Sequence, residues 1–230
     1  MRFTMMRIAG LALLAMSLGY PTYPGLPLPL QTPAGAAAPT QRPTSAPYTG
    51  DLSRFEGADR AQRLQVERVM DILAIGPGVN VADIGAGSGW FTVRAARRTG
   101  NSGKVFAVDI NPGFLQHIRD RARTERLSNI QTILDREDDP LLPPRSVNAV
   151  LLLKTYHEVA KPVPFLKNLQ QALRPGARVG IIDRNGRGDD HGIDAKVVID
   201  EAQQAGFELA GQYDFVKGDE VDYFLVFRSR

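Results

Sequence analysis

The sequence predicts a doubly wound α/β domain, a mostly parallel sheet with helices on both faces, starting near residue 50. Apolar runs of strand length alternate along the chain with segments whose apolar residues recur at helical spacing. The run Val147–Leu153 is almost wholly apolar, which suits a strand buried on both sides rather than one with a wet face. The first strand-length run, Val79–Ile84, ends directly in three closely spaced glycines and is followed by a helix, the usual entry to a ligand crevice in an open α/β sheet.

Taken in order, Ala58–Ile75 has Leu64, Met70 and Leu73 at helical spacing, and Gly76-Pro77-Gly78 stops it. Val79–Ile84 is predicted as a strand, Trp90–Arg98 as a helix ended by Gly100, and Lys104–Ile110 as a strand. A helix over Pro112–Arg126 and strands over Ile130–Leu134 and Val147–Leu153 follow. Val163–Leu173 reads as a helix, Arg174-Pro175-Gly176 as a turn, Arg178–Asp183 as a strand, and Ile193–Ala205 as a helix ended by Gly206. Glu208–Phe215 and Val221–Arg228 are joined by so short a connection that they should pair antiparallel.

Ahead of the domain, Arg2 and Arg7 precede an apolar run from Ile8 to Leu18, too short to span a bilayer and of signal-peptide length. Residues 1–20 are therefore expected to be a signal peptide or membrane-targeting segment. A genuine leader takes the protein to the periplasm or a membrane anchor; a later start, at Met5, Met6 or beyond, leaves it in the cytoplasm. Residues 21–50, rich in Pro, Ala, Thr and Gly, cannot pack a core and read as a disordered linker, with the domain itself at 51–230.

Composition narrows the chemistry. With no cysteine, the chain has no disulfide framework, cysteine metal site or thiol nucleophile. The formal charge is only +3, and two of the basic residues are Arg2 and Arg7 in the leader. The remaining basic residues are interspersed with acids, as in Asp51–Arg54 and Arg119–Arg126, so no nucleic acid partner is expected.

The strongest motif is Val81-Ala82-Asp83-Ile84-Gly85-Ala86-Gly87-Ser88-Gly89-Trp90-Phe91-Thr92. Glycines let the backbone turn sharply and let a ligand approach it. By itself such a turn also suits plain strand–helix packing. The next strand, however, ends in Asp109, 20 residues past Gly89, where a carboxylate can accept both hydroxyl protons of a ribose. The spacing Gly85-x-Gly87-x-Gly89 departs from the dinucleotide G-x-G-x-x-G pattern, and Asp83 inside the loop would repel a pyrophosphate. An acid there suits S-adenosylmethionine, which has a sulfonium and an amino group and no phosphate. A nicotinamide-dependent dehydrogenase of the short-chain type would want a lysine four residues after its tyrosine. Tyr156 has Ala160 there, and Lys161 is one position too far.

These residues resemble the class I S-adenosylmethionine-dependent methyltransferases, and within them a small bacterial "predicted methyltransferase" group. The pieces are VADIGAGSGWFT, VFAVDI, REDDPLLPPRSVNAVLLLKTYHEV, ALRPGARVGIID, HGIDAKVVIDEAQQAGFEL and DYFLVF, spread over residues 55 to 228. The resemblance implies a seven-stranded sheet whose last strand is antiparallel, with S-adenosylmethionine as cofactor. It implies methyl transfer to a small-molecule acceptor. Asn148, where the group usually has Asp, and Ala177, where it usually has Gly, depart from the pattern away from the glycine loop.

Cofactor contacts are accordingly expected from Asp83, Gly85, Ala86, Gly87, Ser88, Gly89, Asp109 and Ile110. In the superfamily the loop after the third strand lies against the adenine, which would give Glu137 and Asp138 a cofactor contact; the same acids also suit a solvated loop. Lys154-Thr155-Tyr156-His157-Glu158 follows the buried fourth strand and should face cofactor and substrate. His157, with Tyr156, is the candidate catalytic pair. His157 either takes the acceptor's proton or only shapes the pocket. His191 reads as a helix-entry residue and His117 as a surface or packing residue. No metal site is expected, because loosely spaced acids such as Asp183, Asp189 and Asp190 do not define one. A non-catalytic cofactor-binding module is the other function class the motifs allow.

Overall fold

The structure is a computed structural model that describes residues 42–230. The leader expected at 1–20 and most of the expected linker lie outside the described residues. Among those described, no helix is long and apolar enough to cross a membrane.

Seven strands form one sheet: β1 Val81–Ile84, β2 Val105–Asp109, β3 Ile130–Leu134, β4 Val147–Leu153, β5 Leu173–Asp183, β6 Phe207–Tyr213 and β7 Tyr223–Ser229. Their spatial order is β3-β2-β1-β4-β5-β7-β6. All neighbours from β3 to β5 pair parallel, and β7 is antiparallel to both β5 and β6. The doubly wound sheet with an antiparallel last strand is thus observed. That strand is inserted between β5 and β6 rather than added at the edge. Every residue of β1 and β2 is buried, which explains why both read as unbroken apolar runs up to the acids near their ends.

The helices are α1 Arg60–Arg63, α2 Val66–Ile72, α3 Trp90–Thr99, α4 Pro112–Thr124, α5 Pro162–Ala172 and α6 Ala195–Gln204. Phe165, Leu166 and Leu169 of α5 and Val198 and Ala202 of α6 pack on the sheet face that carries Phe106, Val108 and Val150. Val69 and Met70 of α2 and Trp90, Phe91 and Ala95 of α3 cover the opposite face, that of Val81, Val105 and Leu151. Asn111 caps α4 by accepting a hydrogen bond from Gly113 N at 2.9 Å, and Asp194 caps α6 by accepting one from Lys196 N at 2.8 Å.

Two elements differ from expectation. The single helix expected over Ala58–Ile75 is broken at Gln65, which adopts φ 51°. Leu64 and Val66 sit on opposite sides of any continuous helix, yet both are buried. The break turns both inward. The turn expected at Arg174-Pro175-Gly176 is an excursion within β5: Leu173 pairs with Val147 and Arg178 with Ala149, so the residues between them loop out.

The linker expected over 21–50 does not extend to its last residues. Arg42 forms an ion pair with Glu201 at 2.8 Å and donates to Tyr156 O at 2.9 Å. Ser45, only 6% exposed, donates to Gly188 O at 2.9 Å and accepts from His191 N at 2.9 Å, while its own N–H donates to His157 O at 3.3 Å. Gly188, at φ +102°, touches Pro43 O where a Cβ would stand, so only glycine admits this approach. A Pro-rich composition disfavours helix and sheet but does not stop a short segment from docking through hydrogen bonds. Ser45→Ala should cost about 1–2 kcal/mol for its two hydroxyl bonds, seen in calorimetry as a fall in Tm of about 2–8 °C. An unchanged Tm would mean that the segment does not dock.

Candidate active site

Five of the parallel strands' carboxyl ends, with the docked segment Thr44–Tyr48, open on one cavity of about 740 Å³. Strand order reverses between β1 and β4, the place where an open α/β sheet leaves a crevice.

The loop after β1 forms the floor. Gly85, Gly87 and Gly89 all have positive φ. At Gly85 a Cβ would collide with the Thr155 side chain of the loop after β4, so the two loops close on each other only because residue 85 has none. Asp83 is buried at the end of β1. Its carboxylate accepts from Thr92 Oγ1 at 2.5 Å, and burial pushes its pKa up to about 7. Asp109, at the end of β2, accepts from Gly87 N and Asn111 N, both at 2.8 Å. These bonds tie the second carboxylate to the glycine loop, and its oxygens keep acceptor capacity toward the cavity. Burial also raises its pKa.

Asp135 follows β3. Burial first, and then the negative charge of Asp109, push its pKa up to about 7. Its Oδ1 is buried with no hydrogen-bond partner among the described residues, and so is Ser88 Oγ. A buried orphan acceptor on a cavity wall suits a ligand that brings a donor. Lys154, at the end of β4, has its Nζ 3.7 Å from Asp219, and burial lowers its pKa.

The opposite end of the cavity holds His157. It lies in a single 3-10 turn, Tyr156–Glu158, and is 4% exposed. Its Nδ1 lies 2.9 Å from Asp183 Oδ2, and its backbone N–H donates to the same carboxylate at 3.2 Å. Arg184 N also donates to Asp183, at 3.0 Å. A carboxylate accepting these bonds also accepts one from a protonated Nδ1, the tautomer that leaves the lone pair on Nε2. Nε2 has Glu158 Oε1 3.8 Å away. The Glu158 carboxyl is pushed up to about 7 by burial.

Of the residues expected from sequence, Asp83, Gly85, Ala86, Gly87, Ser88, Asp109, Ile110, Glu137 and His157 line this cavity. Gly89, Asp138 and Tyr156 do not. Gly89 starts α3, with Ile118 packed where a Cβ would stand. The Asp138 carbonyl accepts from Asn168, and its side chain stands toward Lys161, 3.9 Å away. Tyr156 is corrected as a catalytic candidate. It is fully buried, its hydroxyl donates to Glu201 at 2.8 Å and Arg42 covers its ring, so the turn sends it into the core under α6 while its neighbour His157 faces the cavity.

Sequence reasoning missed three groups. Asp183 holds His157; the signal available was an acid closing a buried strand, as Asp109 closes its own. His191 is not a helix-entry residue. It lies at φ 58° in the loop between β5 and α6, and its ring meets that of His157 edge-on, with centroids 5.8 Å apart. Nothing local in the sequence points to that. Ser45 was hidden in a stretch read by composition. His117, by contrast, is exposed on α4 as expected.

Residues 81–176 match the family model described as a methyltransferase domain. Aklanonic acid methyltransferase DauC of Streptomyces sp. (strain C5) is 34% identical over 84 residues, 36% of this chain and 38% of that protein. The ubiquinone/menaquinone biosynthesis C-methyltransferase UbiE of Hahella chejuensis is 29% identical over 122 residues, 53% of this chain and 49% of that protein. The chain thus spans less than half the length of these curated relatives. A crystal structure of a SAM dependent methyltransferase from Aquifex aeolicus superposes with a TM-score of 0.69 at 21% identity, covering 78% of this chain and 98% of that one, which is a likeness of fold. Family model, relatives and shared fold thus agree on a methyltransferase domain over residues 81–176, set in a sheet of the fold that S-adenosylmethionine-dependent methyltransferases share.

Proposed function

We propose that this chain methylates a small-molecule acceptor bound at the His157 end of the cavity, and that His157 receives the acceptor's proton. The observation that carries this reading is the Asp183–His157 pair at 2.9 Å, on the same cavity as the glycine loop and Asp109. A binding module needs no oriented imidazole there. Two curated relatives act, by their names, on small molecules, which supports the acceptor class.

The residues present fit the cofactor. The backbone at Gly85 and Gly87 offers an approach without side chains, Asp109 offers a carboxylate to ribose hydroxyls, and Asp135 Oδ1 and Glu137 line the adjoining wall. Asp83 gives the loop a negative group suited to a cation. S-adenosylmethionine supplies a methyl group on a sulfonium, already activated toward displacement. The protein's share is to align the acceptor, exclude water and hold a proton at His157 Nε2. Asp183 keeps that nitrogen in its acceptor form and steadies the imidazolium formed when the proton arrives.

Asp109→Ala should weaken S-adenosylmethionine binding by about 1.5–3 kcal/mol, the scale of hydrogen bonds to a charged group. Titration calorimetry measures it, and unchanged affinity would remove Asp109 from the cofactor site.

Burial holds Asp83 and Asp135 half protonated near pH 7. The raised values mean that the empty protein favours the neutral carboxyls and loses stability as pH climbs through 7, while a cationic ligand favours the ionised forms. S-adenosylmethionine affinity should therefore rise about tenfold between pH 6 and 8 for each of these carboxyls that must ionise, with one proton released per group on binding. A flat profile would contradict the pairing of cation and carboxylate.

His157→Ala should lower kcat by about 10²–10⁴ with cofactor affinity kept, and the loss should shrink at high pH, where the acceptor ionises unaided. If KM rises instead and the pH profile keeps its form, His157 only shapes the pocket. Full activity would exclude both roles.

A further inference from the structure

Two histidines and a glutamate converge at the acceptor end of the cavity. His157, Glu158 and His191 each offer a ligand atom, and these atoms lie within 4.8 Å of one another. All three residues line the cavity. We infer that they form a site for one divalent transition-metal ion of the zinc class, with a fourth position open to the acceptor. This rests on the reading that the acceptor binds at this end.

The donor set is two imidazole nitrogens and one carboxylate oxygen, which suits zinc and its first-row neighbours rather than magnesium or calcium. His157 Nε2 and Glu158 Oε1 stand 3.8 Å apart. Ligands about 2.0–2.1 Å from a tetrahedral ion sit somewhat closer together than that, so the three side chains must draw in by some tenths of an ångström to about an ångström around the ion. Asp183 on His157 Nδ1 is the arrangement metal-binding histidines most often show, a carboxylate behind the ring that fixes which nitrogen faces the ion.

The backbone carrying these ligands is held independently of any ion. Residue 191 sits in a small hairpin in which Gly188 N donates to Gly192 O at 2.7 Å and Arg184 Nε donates to His191 O at 2.8 Å. Ser45 bonds both the His191 N–H and, through its own N–H, the His157 carbonyl. The docked segment therefore holds the two histidine-bearing loops in register. Three protein ligands and an open fourth position are the pattern of a catalytic rather than a structural zinc site.

Such an ion favours an acceptor that binds through an ionisable oxygen, whose proton leaves to water on binding. The oxygen's electron pair then forms the O–C bond as the S–C bond breaks, and the S–C pair stays on sulfur. The Nε2 lone pair of His157 can take a proton or a metal ion, not both, so His157 is the acceptor's base in the metal-free protein, and in the loaded protein it is a ligand and the proton departs to solvent.

The test is titration of the full chain, stripped with chelator, with zinc by calorimetry and with cobalt(II) by visible absorption. One equivalent should bind, with a tetrahedral cobalt spectrum. His157→Ala and His191→Ala should weaken binding by more than about 100-fold, and Asp183→Asn by about 10–100-fold. His117→Ala should not change it. His191 is exposed, so its variant should keep the wild-type Tm and separates loss of ligand from loss of fold. Absence of stoichiometric zinc binding, or equal binding by the His191 variant, overturns the inference. In that case S-adenosylmethionine binding and a His157-dependent methyl transfer insensitive to chelator would leave the proposed function standing. Loss of S-adenosylmethionine binding would sink that function whatever the zinc result.

Discussion

The groups that face the cavity from the sheet hang from the carboxyl end of a strand, and they meet because the chain reverses its direction of winding between β1 and β4. Asp83 is the penultimate residue of β1, Asp109 and Asp183 close β2 and β5, Asp135 directly follows β3, and Thr155 and His157 follow β4. Parallel pairing puts all five ends on one edge of the sheet, and complete burial of β1 and β2 fixes their height relative to one another. The contact of Gly85 with Thr155 depends on this, because it joins the loops of the two strands on either side of the reversal.

Burial has an electrostatic cost that shapes the site. Asp83, Asp109, Asp135 and Glu158 line one cavity, and each is pushed toward its neutral form. A structure evolved only for stability would not gather acids at its driest edge. A positively charged ligand turns the same cluster into a binding surface, and this is the physical sense in which the cofactor and the carboxylates belong together.

What the sequence made legible follows from locality. A strand, a glycine turn, a helix and an acid at the next strand's end are neighbours in sequence, so the cofactor end of the cavity could be read in one pass. The His157 end is assembled from Ser45, His157, Asp183 and His191, which are brought together only by tertiary folding. Tyr156 and His157 show the limit of position-based reading. Adjacent residues after the same strand face different ways because both sit in one 3-10 turn, where successive side chains point about 120° apart, and no periodicity marks so short an element. The break at Gln65 was equally hidden, since Leu64, Met70 and Leu73 do fit a helix and the conflict appears only when Val66 must be buried as well.

The docked segment gives the cavity one wall of a different kind from the rest. The strand-end walls cannot yield without unpairing a buried sheet, whereas Thr44–Tyr48 is held by a handful of hydrogen bonds and the Arg42–Glu201 pair. Its release unpairs no strand, because none of its hydrogen bonds belongs to the sheet. Protection against solvent exchange is lowest where opening breaks least, so amide hydrogens near Ser45 and His191 should exchange well before those of β1 or β4. Passage into and out of the cavity would then be governed by the breathing of this short stretch, at a frequency set by its hydrogen bonds, while the glycine-loop floor stays closed.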